Sequence, residues 1–139
     1  MNTISDEEIL DILRAPATVA VVGISDKPDR DSFQVAKYLL EQGYRVIPVN
    51  PMLENVLGQR CYPSVRDVPE RIDVVDIFRR SDAVPEIVDE AIEVGAKVVW
   101  MQLGVVHKEA AEKAQQAGLK AVMDRCIKRD HSRLIGSDR

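Results

Sequence analysis

A loop rich in hydroxyl and charged side chains joins the first apolar segment of the chain to the first long amphipathic one. The apolar segment, residues 18–22, ends at Gly23, and the amphipathic segment starts at Phe33. The hydroxyl and cationic residues of the loop are Ser25, Lys27, Arg30 and Ser32. A buried strand that leads through a glycine turn into a helix collects backbone N–H groups and the positive end of the helix dipole at one place. The loop therefore predicts a site for a phosphorylated ligand.

The same loop also carries carboxylates, which leave a second interpretation open. Its acidic residues are Asp26, Asp29 and Asp31. Lys27 and Arg30 could pair with these aspartates in solvent, where such pairs contribute about 0–1 kcal/mol. The backbone amides from Ile24 to Asp26 are the safer phosphate donors, because they do not depend on where a side chain points.

The segments on either side of the loop alternate between strand and helix patterns. Short runs rich in β-branched residues predict five strands, at residues 19–22, 45–49, 72–78, 97–101 and 120–123. Apolar residues at helical spacing predict helices between them, ending near Gly43, Gly95 and Gly118. The alternation predicts an α/β fold with a Rossmann-like, doubly wound, mostly parallel five-stranded sheet and helices on both faces, in one domain over residues 1–139.

Two helix starts can be read from polar residues. Ser5 and Glu8 form a capping-box pattern at the start of a first helix, which Pro16 would end. Ser81 or Asp82 is expected to cap the helix that follows the third strand.

A doubly wound sheet places its ligand at the carboxyl ends of the strands, where the strand order reverses. The segments predicted to meet there are residues 23–32, 50–51, 79–80, 102–106 and 124–126. We expect any site to be assembled from these segments.

The nicotinamide fingerprint is largely missing from the first of them. G-x-G-x-x-G would place three glycines where the chain has Gly23, Ser25 and Pro28. The acidic residue that would bind the ribose at the end of the second strand is replaced by Asn50-Pro51. NAD is therefore disfavoured. No G-x-x-x-x-G-K-[ST] occurs, which excludes a P-loop ATPase, and the loop is not hydroxyl-rich like an FMN site.

Composition and charge favour a globular protein with a small-molecule ligand. The net charge of -4 argues against nucleic acid or an anionic membrane as the main partner. No apolar run approaches the about 20 residues that span a bilayer. The acidic residues 6–8 are unlike the start of a signal peptide, so we expect a cytoplasmic protein. Cys61 and Cys126 form neither a metal-ligand pattern nor a disulfide framework, and no metal is expected.

Motifs at all five predicted strand ends resemble those of one family. They are Gly23-Ile-Ser-Asp-Lys-Pro-Asp-Arg, Val46-Ile-Pro-Val-Asn-Pro, Val75-Asp-Ile-Phe-Arg-Arg, Met101-Gln-Leu-Gly-Val and Met123-Asp-Arg-Cys-Ile. Over residues 10–135 the chain resembles the small stand-alone CoA-binding proteins, which are similar to the N-terminal domain of the succinyl-CoA synthetase α subunit. The resemblance implies a Rossmann-like domain that binds coenzyme A across the carboxyl edge of the sheet.

The predicted cofactor-binding residues follow from these motifs. They are Gly23, Ile24, Ser25, Lys27, Arg30, Ser32, Asn50, Pro51, Phe78, Arg79, Gln102, Leu103, Gly104 and Cys126. By the resemblance, residues 23–32 hold the pyrophosphate, the Asn50-Pro51 turn borders the adenosine, and residues 102–104 line the channel. Phe78 and Arg79 flank the pantetheine or the nucleotide. One of the two adjacent arginines, Arg79 and Arg80, could instead pair with Asp82 or cap a helix.

No catalytic constellation is visible, and one departure from the synthetase matters. Its α subunit carries a phosphorylated histidine in a second domain, whereas this chain has only His107 and His131. His107 lies near the start of an alanine-rich helix and His131 lies in a charged tail, and we expect each to be an ordinary surface or cap residue. Acyl-CoA ligase activity of the chain alone is not expected, and no catalytic residue is assigned.

Cys126 is the one candidate for chemistry. It follows the fifth strand, and Arg125 and Lys128 could lower its pKa toward the thiolate. The hypothesis is a mixed disulfide with the CoA thiol, and the alternative is a small buried apolar residue. Cys61, in the irregular stretch after the second strand, is expected to be structural.

Three functions compete at this point. The favoured one is non-catalytic binding of CoA or acyl-CoA. The second is the CoA-binding half of a split acyl-CoA ligase or transferase, whose partner chain could dock on residues 52–57, although these could also simply fold over the sheet edge. The third, a nicotinamide-dependent oxidoreductase, lacks its ribose-binding acid. Titration with CoA and NAD separates the first two from the third.

Overall fold

The computed structural model describes residues 4–14 and 17–136, and within them the predicted alternation of strands and helices is confirmed. Pro16, the expected end of the first helix, lies outside these residues. The helices are α1 (Asp6–Arg14), α2 (Asp31–Glu41), α3 (Val84–Val94), α4 (Lys108–Gln116) and α5 (Ile127–Leu134). The strands are β1 (Thr18–Val22), β2 (Arg45–Val49), β3 (Asn55–Val56), β4 (Gln59–Arg60), β5 (Val74–Ile77), β6 (Val98–Met101) and β7 (Lys120–Val122).

The main sheet is parallel, with the strand order β2-β1-β5-β6-β7. Since β1 pairs with β2 on one side and with β5 on the other, the strand order reverses between β1 and β5. Val22 lies opposite Val49 and Ile77, and Ile77 lies opposite Met101, so the carboxyl ends of these strands meet at one edge. The fold is the predicted Rossmann-like α/β sheet.

Helices cover both faces of the sheet. One face packs against α3 and α4, and the other packs against α1, α2 and α5. Every residue of β5 and β6 is buried, which is typical of parallel strands between two layers of helices. No helix within residues 4–14 and 17–136 is long and apolar enough to cross a membrane.

The C-terminal segment corrects a prediction. Instead of a charged tail, residues 127–134 form α5, and His131 is fully buried rather than on the surface. The His131 Nδ1 lies 2.7 Å from the Tyr38 hydroxyl of α2, and its ring contacts Tyr44 edge to face. The segment has too few apolar residues to show a helical period, so contacts with the rest of the fold must stabilise it.

Helix starts agree with the sequence in one case and differ in another. The capping box is confirmed, since the Glu8 amide donates to the Ser5 Oγ at 3.1 Å and the Ser5 amide donates to the Glu8 carboxylate at 3.2 Å. The expected cap of α3 is wrong, because Ser81–Ala83 form a 3-10 turn and Ala83 occupies the N-cap position. The Ser81 Oγ instead accepts a hydrogen bond from the Val106 amide at 3.0 Å.

The stretch between β2 and β5 folds over the sheet edge. It contains the small antiparallel hairpin β3–β4, and Tyr62 extends the edge by exchanging backbone hydrogen bonds with Pro48 and Asn50. Among the apolar residues of the stretch proposed for partner docking, Val56 is buried and only Met52, at 84% exposure, projects fully into solvent. Leu53 and Leu57 pack against the core, which favours the alternative given for this stretch.

A carboxylic acid lies in the middle of the central strand. Asp76 is opposite Val21 of β1 and Trp100 of β6 and is fully buried. Neither of its carboxyl oxygens meets a hydrogen-bond donor within the described part of the chain. Desolvation raises the pKa of Asp76 well above its ordinary value of 3.8, so burial favours the protonated acid.

This burial predicts a pH dependence of stability. Above the ordinary pKa of an aspartate the unfolded chain releases the Asp76 proton while the folded chain retains it, so stability falls as pH rises toward the folded-state pKa. The slope from this one group is at most about 1.4 kcal/mol per pH unit. Asp76→Asn, which cannot ionise, removes the slope, so the variant gains stability relative to the wild type between pH 5 and pH 8 as measured by urea unfolding.

Asp82→Asn, at an exposed aspartate, serves as the control and follows the wild-type profile. Parallel profiles for the wild type and Asp76→Asn would show that Asp76 does not carry the proton difference.

Candidate ligand site at the carboxyl edge

A cleft of about 630 Å³ opens at the carboxyl edge of the sheet, next to the reversal of strand order. Its walls come from the start of α2, the segments after β5 and β6, and the start of α5. The lining residues are Asp31, Gln34, Val35, Phe78, Arg79, Arg80, Gln102, Leu103, Val105, Cys126, Lys128 and Arg129.

A second hollow of about 360 Å³ lies on the loop between β1 and α2. It is lined by Gly23, Ser25, Asp29, Arg30, Asp31, Ser32 and Phe78. Because Asp31 and Phe78 line both spaces, the two hollows adjoin and form one groove from the loop to α5. We call this the edge groove.

The loop at one end of the edge groove is held by its own polar groups. The buried Ser32 Oγ accepts a hydrogen bond from the Ser25 amide at 2.9 Å, and the Ser25 Oγ accepts one from the Lys27 amide at 3.0 Å. The Asn50 side chain donates to the Ile24 carbonyl at 2.8 Å and so ties the end of β2 to the loop. The Ser25 amide, expected as a phosphate donor, is thus engaged within the protein.

The start of α2 supplies other donors. Arg30 is its N-cap residue and makes no side-chain cap, and the first amides of a helix have no acceptor within the helix. Asp31 and Ser32, in that first turn, line the loop hollow. The start of a helix favours an anion both through these N–H groups and through the helix dipole.

The cations of the edge groove outnumber its carboxylates. Arg30, Arg79, Arg80, Lys128 and Arg129 line it, against Asp29 and Asp31. Of these cations Arg80 pairs with Asp82 at 3.2 Å, as one of the predicted alternatives had it. Within the described ranges neither Lys27 nor Arg30 forms an ion pair, so the alternative pairing with the loop aspartates is not seen.

The far end of the groove is built around Gln102 and Cys126. Gln102 is only 4% exposed, and its Oε1 accepts a hydrogen bond from the Ile127 amide at 3.1 Å. Cys126 is half-buried and occupies the N-cap position of α5 without capping the helix through its side chain. The Arg125 guanidinium donates two hydrogen bonds, of 2.8 and 3.0 Å, to the Asp130 carboxylate, so the charge of Arg125 is paired with Asp130.

Some predicted residues lie outside the groove lining. Ile24 is fully buried, and Lys27, Asn50, Pro51 and Gly104 line neither hollow. Of the other groove residues, Asp29, Asp31, Arg80 and Val105 belong to the segments predicted to meet at this edge, although they are not among the predicted binding residues. Gln34, Val35, Lys128 and Arg129 lie outside those segments. Arg129 could have been found only by recognising α5.

His107 and Cys61, the remaining residues considered for chemistry, lie outside the edge groove. His107 is confirmed as a cap residue, since its Nδ1 accepts a hydrogen bond from the Ala110 amide at 3.1 Å. Cys61 is buried, which raises the pKa of its thiol. No group of three or more His, Cys, Asp or Glu side chains in the described ranges could hold a metal ion.

Comparison with known proteins decides the family. A family model described as a CoA binding domain matches residues 17–132. The chain belongs to the CoA-binding domain family. This agrees with the resemblance carried by the five strand-end motifs.

Relatives of similar length match nearly the whole chain. The chain is 40% identical to the uncharacterized protein YneT of Bacillus subtilis (strain 168), over 95% of this chain and 98% of that protein. It superimposes on the structure of a hypothetical protein from Pyrococcus horikoshii OT3 with a TM-score of 0.93 and 51% identity, over 96% and 94% of the two chains.

The domain also occurs as part of larger enzymes. The chain is 32% identical to the α subunit of the ADP-forming acetate–CoA ligase II of Pyrococcus furiosus, over 86% of its own length. It spans 28% of that subunit.

A close backbone contact explains the glycine at the end of β1. Gly23 has φ +86°, and a Cβ built on it would lie 2.3 Å from the Phe78 carbonyl oxygen and 2.8 Å from the Arg79 Cδ. Glycine is therefore required by the approach of the β5 end, whether or not a ligand is bound.

This contact predicts that Gly23→Ala lowers stability by about 2–5 kcal/mol, as the left-handed backbone and the overlap with Phe78 add together. The matched control is Gly43→Ala, at φ +92° with open space around the Cβ, which is expected to cost only the backbone part, about 1–2 kcal/mol. Urea unfolding measures both, and equal losses would contradict the role of the Phe78 contact.

Proposed function

We propose that this protein binds coenzyme A, free or acylated, in the edge groove, and that the chain alone does not turn it over. The observation that carries the proposal is the continuity of the groove. A phosphate-binding type of helix start lies at one end, and a larger, partly apolar cleft lies at the other. Coenzyme A has the same order of parts, with a pyrophosphate followed by a long, uncharged arm that ends in a thiol.

The pyrophosphate is placed on the loop hollow. The first amides of α2 and the guanidinium of Arg30 would donate to its oxygens, which are strong acceptors. Ser25 and Ser32 keep the loop in the conformation that this contact needs, rather than binding the phosphate through the Ser25 amide.

The pantetheine arm is placed in the larger cleft. Phe78, Val35, Val105 and Leu103 provide apolar surface for its methylene groups, and Gln102 provides an amide for its peptide-like groups. The arm is uncharged, and a combination of apolar surface and oriented polar groups suits such a ligand.

The nicotinamide alternative finds no support at the end of β2. An NAD site uses an acidic side chain there to bind the ribose hydroxyls. The side chain present is Asn50, and both of its polar atoms are engaged, with the Ile24 carbonyl and with the Met52 amide at 2.8 Å.

A second candidate function is the CoA-binding half of a two-chain acyl-CoA ligase or transferase. The similarity to a subunit of an ADP-forming acetate–CoA ligase supports it. The cleft mouth offers apolar surface for a partner, since Leu103 is 49% and Val106 is 41% exposed. Acyl-CoA formation by the purified chain alone would overturn the non-catalytic proposal, and formation only after addition of a second chain would favour this candidate.

Calorimetric titration with CoA tests the proposal, with 3′-dephospho-CoA and NAD titrated in parallel. Arg30→Ala is expected to weaken CoA binding by about 1.5–3 kcal/mol, or about 10- to 150-fold, if its bond to the phosphate is charge-assisted. The matched control is Arg71→Ala, at an exposed arginine before β5 and therefore on the opposite edge of the sheet. Equal affinities for Arg30→Ala and Arg71→Ala would remove Arg30 from the site, and binding of NAD without CoA would overturn the proposal.

A further inference from the structure

The two cysteines have different surroundings. Cys61 is 7% exposed, donates to the Asn50 carbonyl at 3.5 Å, and has its thiol pKa raised by burial. Cys126 is half-buried and lines the cleft at the end where the proposed arm of coenzyme A would finish. A thiol in a cleft that takes a thiol ligand can form a disulfide with it.

An oriented amide points to a ligand at the same place. Gln102 is 4% exposed and lines the cleft, and its Oε1 is held by the amide of the peptide bond between Cys126 and Ile127. Its Nε2 makes no hydrogen bond among the described residues and is not one of their fully enclosed atoms, so this donor is left for a ligand in the cleft.

The chemistry of coenzyme A matches this donor and thiol. Its sulfur is separated by two methylene groups from an amide whose carbonyl is a good acceptor. When that carbonyl accepts from the Gln102 Nε2, the CoA sulfur lies a few bonds from one end of the Gln102 side-chain amide. The Sγ of Cys126 lies a few bonds from the Ile127 amide, which donates to the Oε1 of the same side chain.

We propose that Cys126 exchanges disulfides with oxidised coenzyme A bound in the edge groove. This inference rests on the proposed function. The Cys126 thiolate attacks one sulfur of a CoA disulfide, the bond between the two CoA sulfurs breaks, and a bond between Cys126 and one CoA forms. The second CoA leaves as a thiolate and takes up a proton equivalent to the one that Cys126 released. No net oxidation occurs, because the CoA disulfide supplies the oxidised sulfur.

The product holds coenzyme A covalently in the groove. Attack of another thiol on the mixed disulfide releases CoA and restores Cys126, so the modification is reversible. The protein thereby records the oxidation state of the surrounding CoA pool as a modified or a free thiol at Cys126.

The test incubates the reduced protein with CoA disulfide in the absence of air and follows the intact mass, with peptide mapping to locate the adduct. The expected result is one CoA on Cys126 and none on Cys61, and no adduct on Cys126→Ser. Glutathione disulfide offers the same bond without the groove-binding parts, so it is expected to react with Cys126 at least about tenfold more slowly.

Arg30→Ala extends the test, since Arg30 lies at the other end of the groove from Cys126. It should slow the reaction with CoA disulfide at subsaturating concentration and leave that with glutathione disulfide unchanged. Equal rates for the two disulfides, or an adduct on Cys61 instead, would overturn the inference.

Calorimetry with reduced CoA separates the two proposals. Binding of CoA without an adduct on Cys126 overturns the exchange alone. Absence of CoA binding together with absence of a selective adduct overturns the proposed function as well.

Discussion

The approach of Gly23 to the carbonyl of Phe78 is the constraint on which the carboxyl edge depends. The two residues end β1 and β5, the strands between which the strand order reverses, and the Phe78 amide also donates to the Val22 carbonyl at 2.8 Å. A side chain at position 23 would force these strand ends apart. Phe78 lines both hollows of the edge groove, so the distance between the strand ends also sets the path between the loop and the cleft.

The other wall of the groove depends on two hydrogen bonds from β6 and the residue after it. The Trp100 indole donates to the Arg125 carbonyl at 2.8 Å, and Gln102 accepts from the Ile127 amide at 3.1 Å. These bonds flank Cys126 in the sequence and fix where its backbone lies. Trp100 and Gln102 are both buried, so losing either bond would leave a costly unpaired polar group. The position of the thiol is therefore determined by the core of the sheet rather than by a mobile loop.

Sequence patterns predicted the elements whose own residues show an apolar pattern, and not the helix that lacks one. The strands were identifiable because β-branched residues in continuous runs signal burial on both faces. The helix α5 was not, because half of its residues are charged and its one fully buried polar residue, His131, looked like a surface group. That ring is buried because Tyr38 and Tyr44 surround it, and no local pattern around residue 131 shows this. Arg129 was missed with the helix that carries it, and Lys128 was expected only as a charge near Cys126, not as part of the groove lining.

The charge of the whole chain is a poor guide to the charge that a ligand meets. The net charge is -4, yet the edge groove is lined by more cations than carboxylates. Much of the acidic charge lies elsewhere, on exposed positions of α1 and α3 such as Glu7 and Glu86. Because fields in physiological salt decay over about 8 Å, a polyanion that spans the surface meets both signs, whereas a small anion inside the groove meets mainly the cations. This distribution favours a compact phosphorylated ligand over nucleic acid, and it does so without requiring a basic protein.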